Sequence, residues 1–434
     1  MKRIGDNRVD KYFEKLEKIL HDKINGVGRL SNNFLLVKYY DNKGITRELA
    51  DAVKSDNKYI YFYHEFNATR IPEAYEPFLM WIKYIFDNYI DMNLDEFFEV
   101  CKIYNPHRII LKSYFETGIT RREEFLLLNE IEFETDKLYQ GLLNMITFAS
   151  KIKPIIVIFN KIHLAGTSTM KFINKIFSGE DTGNMAIIAA FKNNVPGLKG
   201  KSVIWNELIN NFIDINCVYD WDDFGELEDN SKNEKEIVSL EFDETELEAT
   251  MVKIKNMCDL LALNQASDYL GFLYHKYEVE KYDISNDLKF KLYKLYTKNC
   301  IELRKISDAY EAINNLKVLA VSKDKKFDYY IMRIYLELSN EKYDEAKKLI
   351  EKAKKLIDIN EERKIVFLQI IAHIADYSNW RGAWFYKDIT SDQMSIIEKC
   401  EKYNYKNILA HIYIRYYCIF LVIVFFFLYH FSFF

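Results

Sequence analysis

A chain of 434 residues, 49% of them hydrophobic, has the length of two to four domains and needs neither disulfides nor a structural metal to build its cores. Its 60 basic and 65 acidic residues are interspersed and leave a formal net charge of -5, so no basic field for nucleic acid stands out. The six cysteines, Cys101, Cys217, Cys258, Cys300, Cys400 and Cys418, lie far apart with no C-x-x-C pair, which argues against zinc sites and a disulfide framework and for reduced core thiols.

The first twenty residues carry charges every few positions and no apolar run, the pattern of a chain that begins in the cytoplasm without a signal peptide. Short apolar runs follow: FLLVKYY from Phe34, YIYFYHEF from Tyr59, PIIVIF from Pro154 and MAIIAAF from Met185. These read as strands, and because helical patterns lie between them, residues 1–218 are expected to form an α/β domain with a mainly parallel sheet. All five prolines fall in this half. Residues 219–246 are acidic and loop-like and read as a linker.

Beyond the linker no proline occurs and only Gly271 and Gly382 remain, so residues 247–415 are expected to be all helical. The strings Ala309-Tyr310-Glu311-Ala312 and Tyr343-Asp344-Glu345-Ala346 set Ala312 and Ala346 apart by 346 − 312 = 34 residues. That is the tetratricopeptide period, and KYDEAKKLIEKAKKL is similar to the second helix of such a repeat. The first helices depart from the pattern, since Tyr335 stands eight residues before Tyr343. A divergent tetratricopeptide-like solenoid is expected, with the segments Ser267 to Tyr296 and Glu361 to Asp376 stacked as neighbours. An ordinary amphipathic bundle is the other reading. Its expected role is to bind a protein partner.

Residues 416–434, YYCIFLVIVFFFLYHFSFF, carry almost no polar group. Three readings stand: a tail anchor with Lys402, Lys406 and Arg415 on the cytoplasmic side, a fully covered terminal helix, or an out-of-frame end of a longer protein.

The stretch PIIVIFNKIHLAGTSTMKF, from Pro154 to Phe172, reads as buried strand, polar turn and helix. It resembles the second nucleotide-binding motif of the bacterial signalling ATPases of the AAA/STAND type, with His163 and Ala165 retained, Leu164 in place of a Trp, Gly166 in place of an acid, and Asn160-Lys161 where the Mg²⁺-holding carboxylate stands. The resemblance extends to Ile4-Gly5-Asp6 ahead of the first helix and to NMAIIAAFKNN, where Lys192 stands at the sensor position. It implies a P-loop domain whose phosphate loop follows the first strand. Aligned so, Gly44 and Thr46 match the last glycine and the hydroxyl residue of GxxGxGKT, but Tyr39 and Asn42 replace glycines and Ile45 replaces the lysine. Glycine lets backbone N–H groups approach phosphates, and lysine neutralises them, so hydrolysis should fail by the usual route. The candidate site is therefore a vestigial one of Gly44, Thr46 and Asn160, with no catalytic residue, no metal and no working cofactor expected. Residual ATP or Mg-ATP binding without turnover is the most these residues allow. Relatives of this architecture often end in a GGDEF or helix-turn-helix output domain, and this sequence contains no such string.

Two further pairs are candidates. His64-Glu65 ends a strand without a Ser or Cys spaced to suit it. Arg121 and Arg122 stand in a second Gly-Ile-Thr-Arg string, from Gly118, where a phosphate contact competes with an exposed helix start.

Overall fold

A computed structural model describes residues 34–38, 59–67, 70–122, 131–178, 184–191, 199–214, 218–220, 242–278, 282–358 and 361–378, together with 395, 397–399, 401 and 402. The chain divides into two compact units, Met1–Thr120 with Glu132–Tyr269, and Arg121–Ile131 with Leu270–Phe434.

The first unit is built on strands β1 (Phe34–Lys38), β2 (Ile60–Glu65), β3 (Ile155–Asn160), β4 (Met185–Phe191) and β5 (Val218–Asp220). They form one sheet in the order β2-β3-β4-β1-β5, every neighbouring pair parallel. Every residue of β3 and β4 is buried, which is why IIVIFN and MAIIAAF are continuous apolar runs rather than alternating ones. Between β2 and β3 lie α1 (Phe78–Tyr89), α2 (Leu94–Val100), α3 (Asn105–Thr117) and α4 (Ile131–Ile152). Helix α2 starts at a reciprocal cap between Asn93 and Glu96, and α3 starts with Pro106 in its first turn and stops at Gly118, whose φ of 72° only glycine takes readily. One face of the sheet is joined to the helices by packed rings: Phe62 stacked on Trp81 at 4.7 Å, Trp81 stacked on Phe159 at 5.5 Å, and Phe78 edge-on to both Phe159 and Phe172. Helices α5 (Thr167–Ser178) and α6 (Lys199–Asp214) follow β3 and β4. The unit also takes in α7 (Glu244–Asp259), capped by Asp243 and Glu246, and the first part of α8 (Leu263–Glu278).

The second unit continues with α9 (Asn286–Glu302), α10 (Ile306–Leu319), α11 (Lys323–Ser339), α12 (Tyr343–Lys354) and α13 (Glu362–Ser378). The segment from Ser267 to Tyr296 is thus divided between α8 and α9. Three residues separate α9 from α10, α10 from α11 and α11 from α12, and each of these pairs is packed together. The residue before each of Lys305 and Lys342 takes a left-handed backbone, Arg304 at φ 56° and Glu341 at φ 58°, and both lysine N–H groups reach back 2.8 Å to carbonyls five residues earlier, Cys300 and Glu337.

These helices repeat at a spacing different from the one suggested by the Ala312/Ala346 match. Helix α12 starts 343 − 306 = 37 residues after α10, and the buried set Ala309, Ala312, Ile313 and Leu316 recurs as Ala346, Leu349, Ile350 and Ala353. Ala346 is therefore the counterpart of Ala309. Sequence similarity had slipped by three residues, because Ala309 and Ala312 share one helical face and both are fully buried. Ion pairs repeat as well: Lys325 meets Asp287 and lies over Phe290, and Lys364 meets Asp324 and lies over Phe327. No helix among the described residues is long and apolar enough to cross a membrane, and residues 416–434 lie outside them.

Candidate functional site

In an open parallel sheet, ligands bind outside the carboxyl ends of the strands, where neighbouring strands send their connections in opposite directions. Strands β1 and β4 are such neighbours. From β1 the chain runs past β4 and β3 to β2 at the far edge, and from β4 it runs past β1 to β5. The reversal falls at the carboxyl ends Lys38 and Phe191, with the end of β3 one strand away.

Asn160 ends β3 and pairs in register with Glu65 at the end of β2. It is 6% exposed, its Nδ2 donates to the Tyr63 hydroxyl at 3.4 Å, and its carbonyl accepts from the Phe66 N–H at 3.1 Å. Lys161 follows in a left-handed conformation, φ 56° and ψ 43°, and its ammonium lies 3.1 Å from Glu65 Oε1. The Tyr63 hydroxyl donates to the other Glu65 oxygen at 3.3 Å. Four residues from two strand ends thus share one polar network.

A second carboxylate near this edge, Glu76, is also engaged. It accepts from the Arg70 guanidinium and, at 2.9 Å, from the Glu73 N–H, and His64 Nε2 lies 3.5 Å from it. His64 stands among Phe66 and Trp81 rings, and burial lowers its pKa from the ordinary 6.5 against the opposing pull of Glu76. Desolvation prevails because Arg70 already neutralises much of the Glu76 charge. His64 is therefore a neutral imidazole facing Glu76 rather than half of an acid/base pair with Glu65.

A Mg²⁺ ion held by a carboxylate at the end of β3 does not fit these side chains. Asn160 carries no charge, Glu65 is bridged by Lys161 and Tyr63, and Glu76 by Arg70. Among the described residues no cluster of three or more His, Cys, Asp or Glu could hold a metal ion.

Of the predicted site residues, Asn160 sits at the carboxyl edge, while Gly44 and Thr46 lie outside the described residues, as do Tyr39, Asn42, Ile45 and Lys192. His163 is 4% exposed and meets the Trp205 ring edge-on at 6.4 Å. The second Gly-Ile-Thr-Arg string has a structural use: Gly118 stops α3, and Thr120 donates its hydroxyl toward Asn256 and Asp259 at 3.0 and 2.8 Å. Arg122 does not lie on an exposed helix start, because its side chain is 2% exposed and turns to Glu302 at 3.4 Å. That position is closed to a phosphate.

No protein-family model matches the chain, and no curated protein is significantly similar to it.

The Lys161–Glu65 pair was not anticipated, although the sequence holds a signal for it. Strands that follow one another in a parallel sheet are commonly neighbours, so the ends of YIYFYHE and IIVIFNK, both at the carboxyl edge, are placed side by side. Gln265, whose Oε1 accepts from the Ser168 N–H and hydroxyl at the start of α5, has no such signal.

Proposed function

We propose that this is a non-catalytic regulatory or scaffold protein of a bacterial signalling pathway, in which a degenerate AAA/STAND-like P-loop domain is followed by tetratricopeptide-like helices that bind a protein partner. The observation that carries this reading is the end of β3. Hydrolysis of ATP by this class of domain needs a carboxylate there to hold Mg²⁺, and the position is Asn160 followed by a lysine engaged with Glu65. The parallel sheet, whose connections reverse direction between β1 and β4, supports the nucleotide-domain half of the reading. The 37-residue recurrence of α10 in α12, with its small buried alanines, supports the repeat half.

A second reading, a nucleotide-gated protein that binds ATP without turning it over, is favoured by that same strand order. Calorimetry with Mg-ATP, combined with a phosphate-release assay on the full chain, tests the proposal. Phosphate release at the background rate is expected. Micromolar binding with steady release would sink the scaffold reading.

A further inference from the structure

The connections that lead into α9, α11 and α13 lie side by side along one edge of the second unit. Lys325 at the start of α11 meets Asp287 at the start of α9, Lys364 at the start of α13 meets Asp324, and Lys323 meets Asp358 ahead of α13. On this edge stand the two most exposed large apolar side chains among the described residues, Val318 at the end of α10 and Val321 just before α11, 78% and 79% exposed. Tyr282, 45% exposed, stands ahead of α9. Apolar groups gathered in water along one edge, rather than scattered singly, mark a surface for another molecule.

We propose that this molecule is a second copy of the chain. The two copies are related by a twofold axis between the connections into α9 and α11, so that Tyr282 and Asp283 of each copy face Val318, Val321 and Lys326 of the other.

The charges select this occupant. Residues 282–287, YDISND, carry two acids and no base, whereas residues 318–326, VLAVSKDKK, carry three lysines and one acid. Ion pairs within the chain engage Asp287, Lys323, Asp324 and Lys325. That leaves Asp283 and Lys326, both exposed and neither in an ion pair among the described residues. A partner of one sign would meet its own sign at one of the two connections. A twofold copy meets the opposite sign at both, because the same patch serves on each side of such an interface. The apolar side chains then lie at the centre with the charges around them. So small a surface supports a weak association that depends on concentration, not a permanent dimer.

Sedimentation velocity of the full chain from about 1 to 200 µM is the test, with a monomer–dimer equilibrium expected across that range. Val318→Asp combined with Val321→Asp should weaken it by about tenfold or more. Asp283→Lys and Lys326→Asp should each weaken it by about fivefold, and the chain carrying both should return to within about twofold of the unaltered one, since both cross pairs are rebuilt with their signs exchanged. All four positions are exposed, and circular dichroism and melting check that each variant is folded. A monomer at every concentration, association untouched by the two valine substitutions, or no recovery in the double reversal would each overturn the proposal. Any of these results leaves the scaffold reading above intact.

Discussion

The side-chain amide of Gln265 lies against the backbone of Gly166, so close that a Cβ added at Gly166 would stand 2.5 Å from its Oε1. This buried glutamine ties α8 to the start of α5: Oε1 accepts from the Ser168 N–H at 3.1 Å and the Ser168 hydroxyl at 2.6 Å, and Nε2 donates to the Pro72 carbonyl at 3.2 Å. The contact leaves no room for a side chain at position 166. A carboxylate side chain would have to occupy the space that Gln265 fills.

Gly166→Ala should therefore destabilise the first unit by about 1–3 kcal/mol through overpacking. Gln265→Ala should cost about 2 kcal/mol, since it leaves buried backbone groups without a partner. In the Gln265→Ala background the alanine at 166 should cost much less, because the collision is gone. Urea unfolding of the two single variants and the double variant measures this, and strictly additive costs would refute the contact.

The sheet was more legible than its fastenings. β3 and β4 announce themselves as unbroken apolar runs, because a strand covered on both faces has no polar side to show. β5 is three residues long and offers no periodicity to read. The helical repeat was visible but three residues out of register, because a slip of three along a helix exchanges one buried alanine for another on the same face. Asn160 could be placed at a strand end from sequence. Gln265 could not be joined to Ser168, 97 residues earlier, since no local rule links them.

In the second unit, Glu337 is 1% exposed and binds two neighbours: the Tyr310 hydroxyl donates to it at 2.9 Å and Arg333 lies 2.7 Å away with its guanidinium over the Tyr310 ring. Glu337→Ala should cost about 3 kcal/mol, because it leaves a cation and a hydroxyl facing a gap. Glu345→Ala, which removes an exposed pair with Lys348, should leave stability unchanged within error. Equal effects of the two substitutions on the denaturation midpoint would show that the Glu337 network contributes nothing.

His64 gives the first unit a pH dependence of definite sign. Its pKa is lowered in the folded chain by burial, with Glu76 and Glu65 opposing and Arg70 reinforcing the shift. Around its ordinary value of 6.5 the unfolded chain takes up a proton that the folded chain refuses. Its contribution is thus fully present above that pH and declines as pH falls through it. Melting temperatures measured from pH 5 to pH 8 should rise more steeply for the unaltered chain than for His64→Gln. Identical slopes would show that His64 does not titrate differently on folding.

The buried thiols should be inert. Cys101, Cys258 and Cys300 are buried thiols, and desolvation pushes the Cys101 thiol up to about 12 and the Cys300 thiol up to about 11. At pH 8 the Cys300 thiolate is then on the order of one molecule in a thousand, and it is the thiolate that attacks. Iodoacetamide applied to the native chain at pH 8, with the labelled positions mapped by mass spectrometry, should leave these three unmodified over times that label the urea-unfolded chain completely. Native labelling at the unfolded rate would mean that the helices around Cys101 and Cys300 open freely, which their packing forbids.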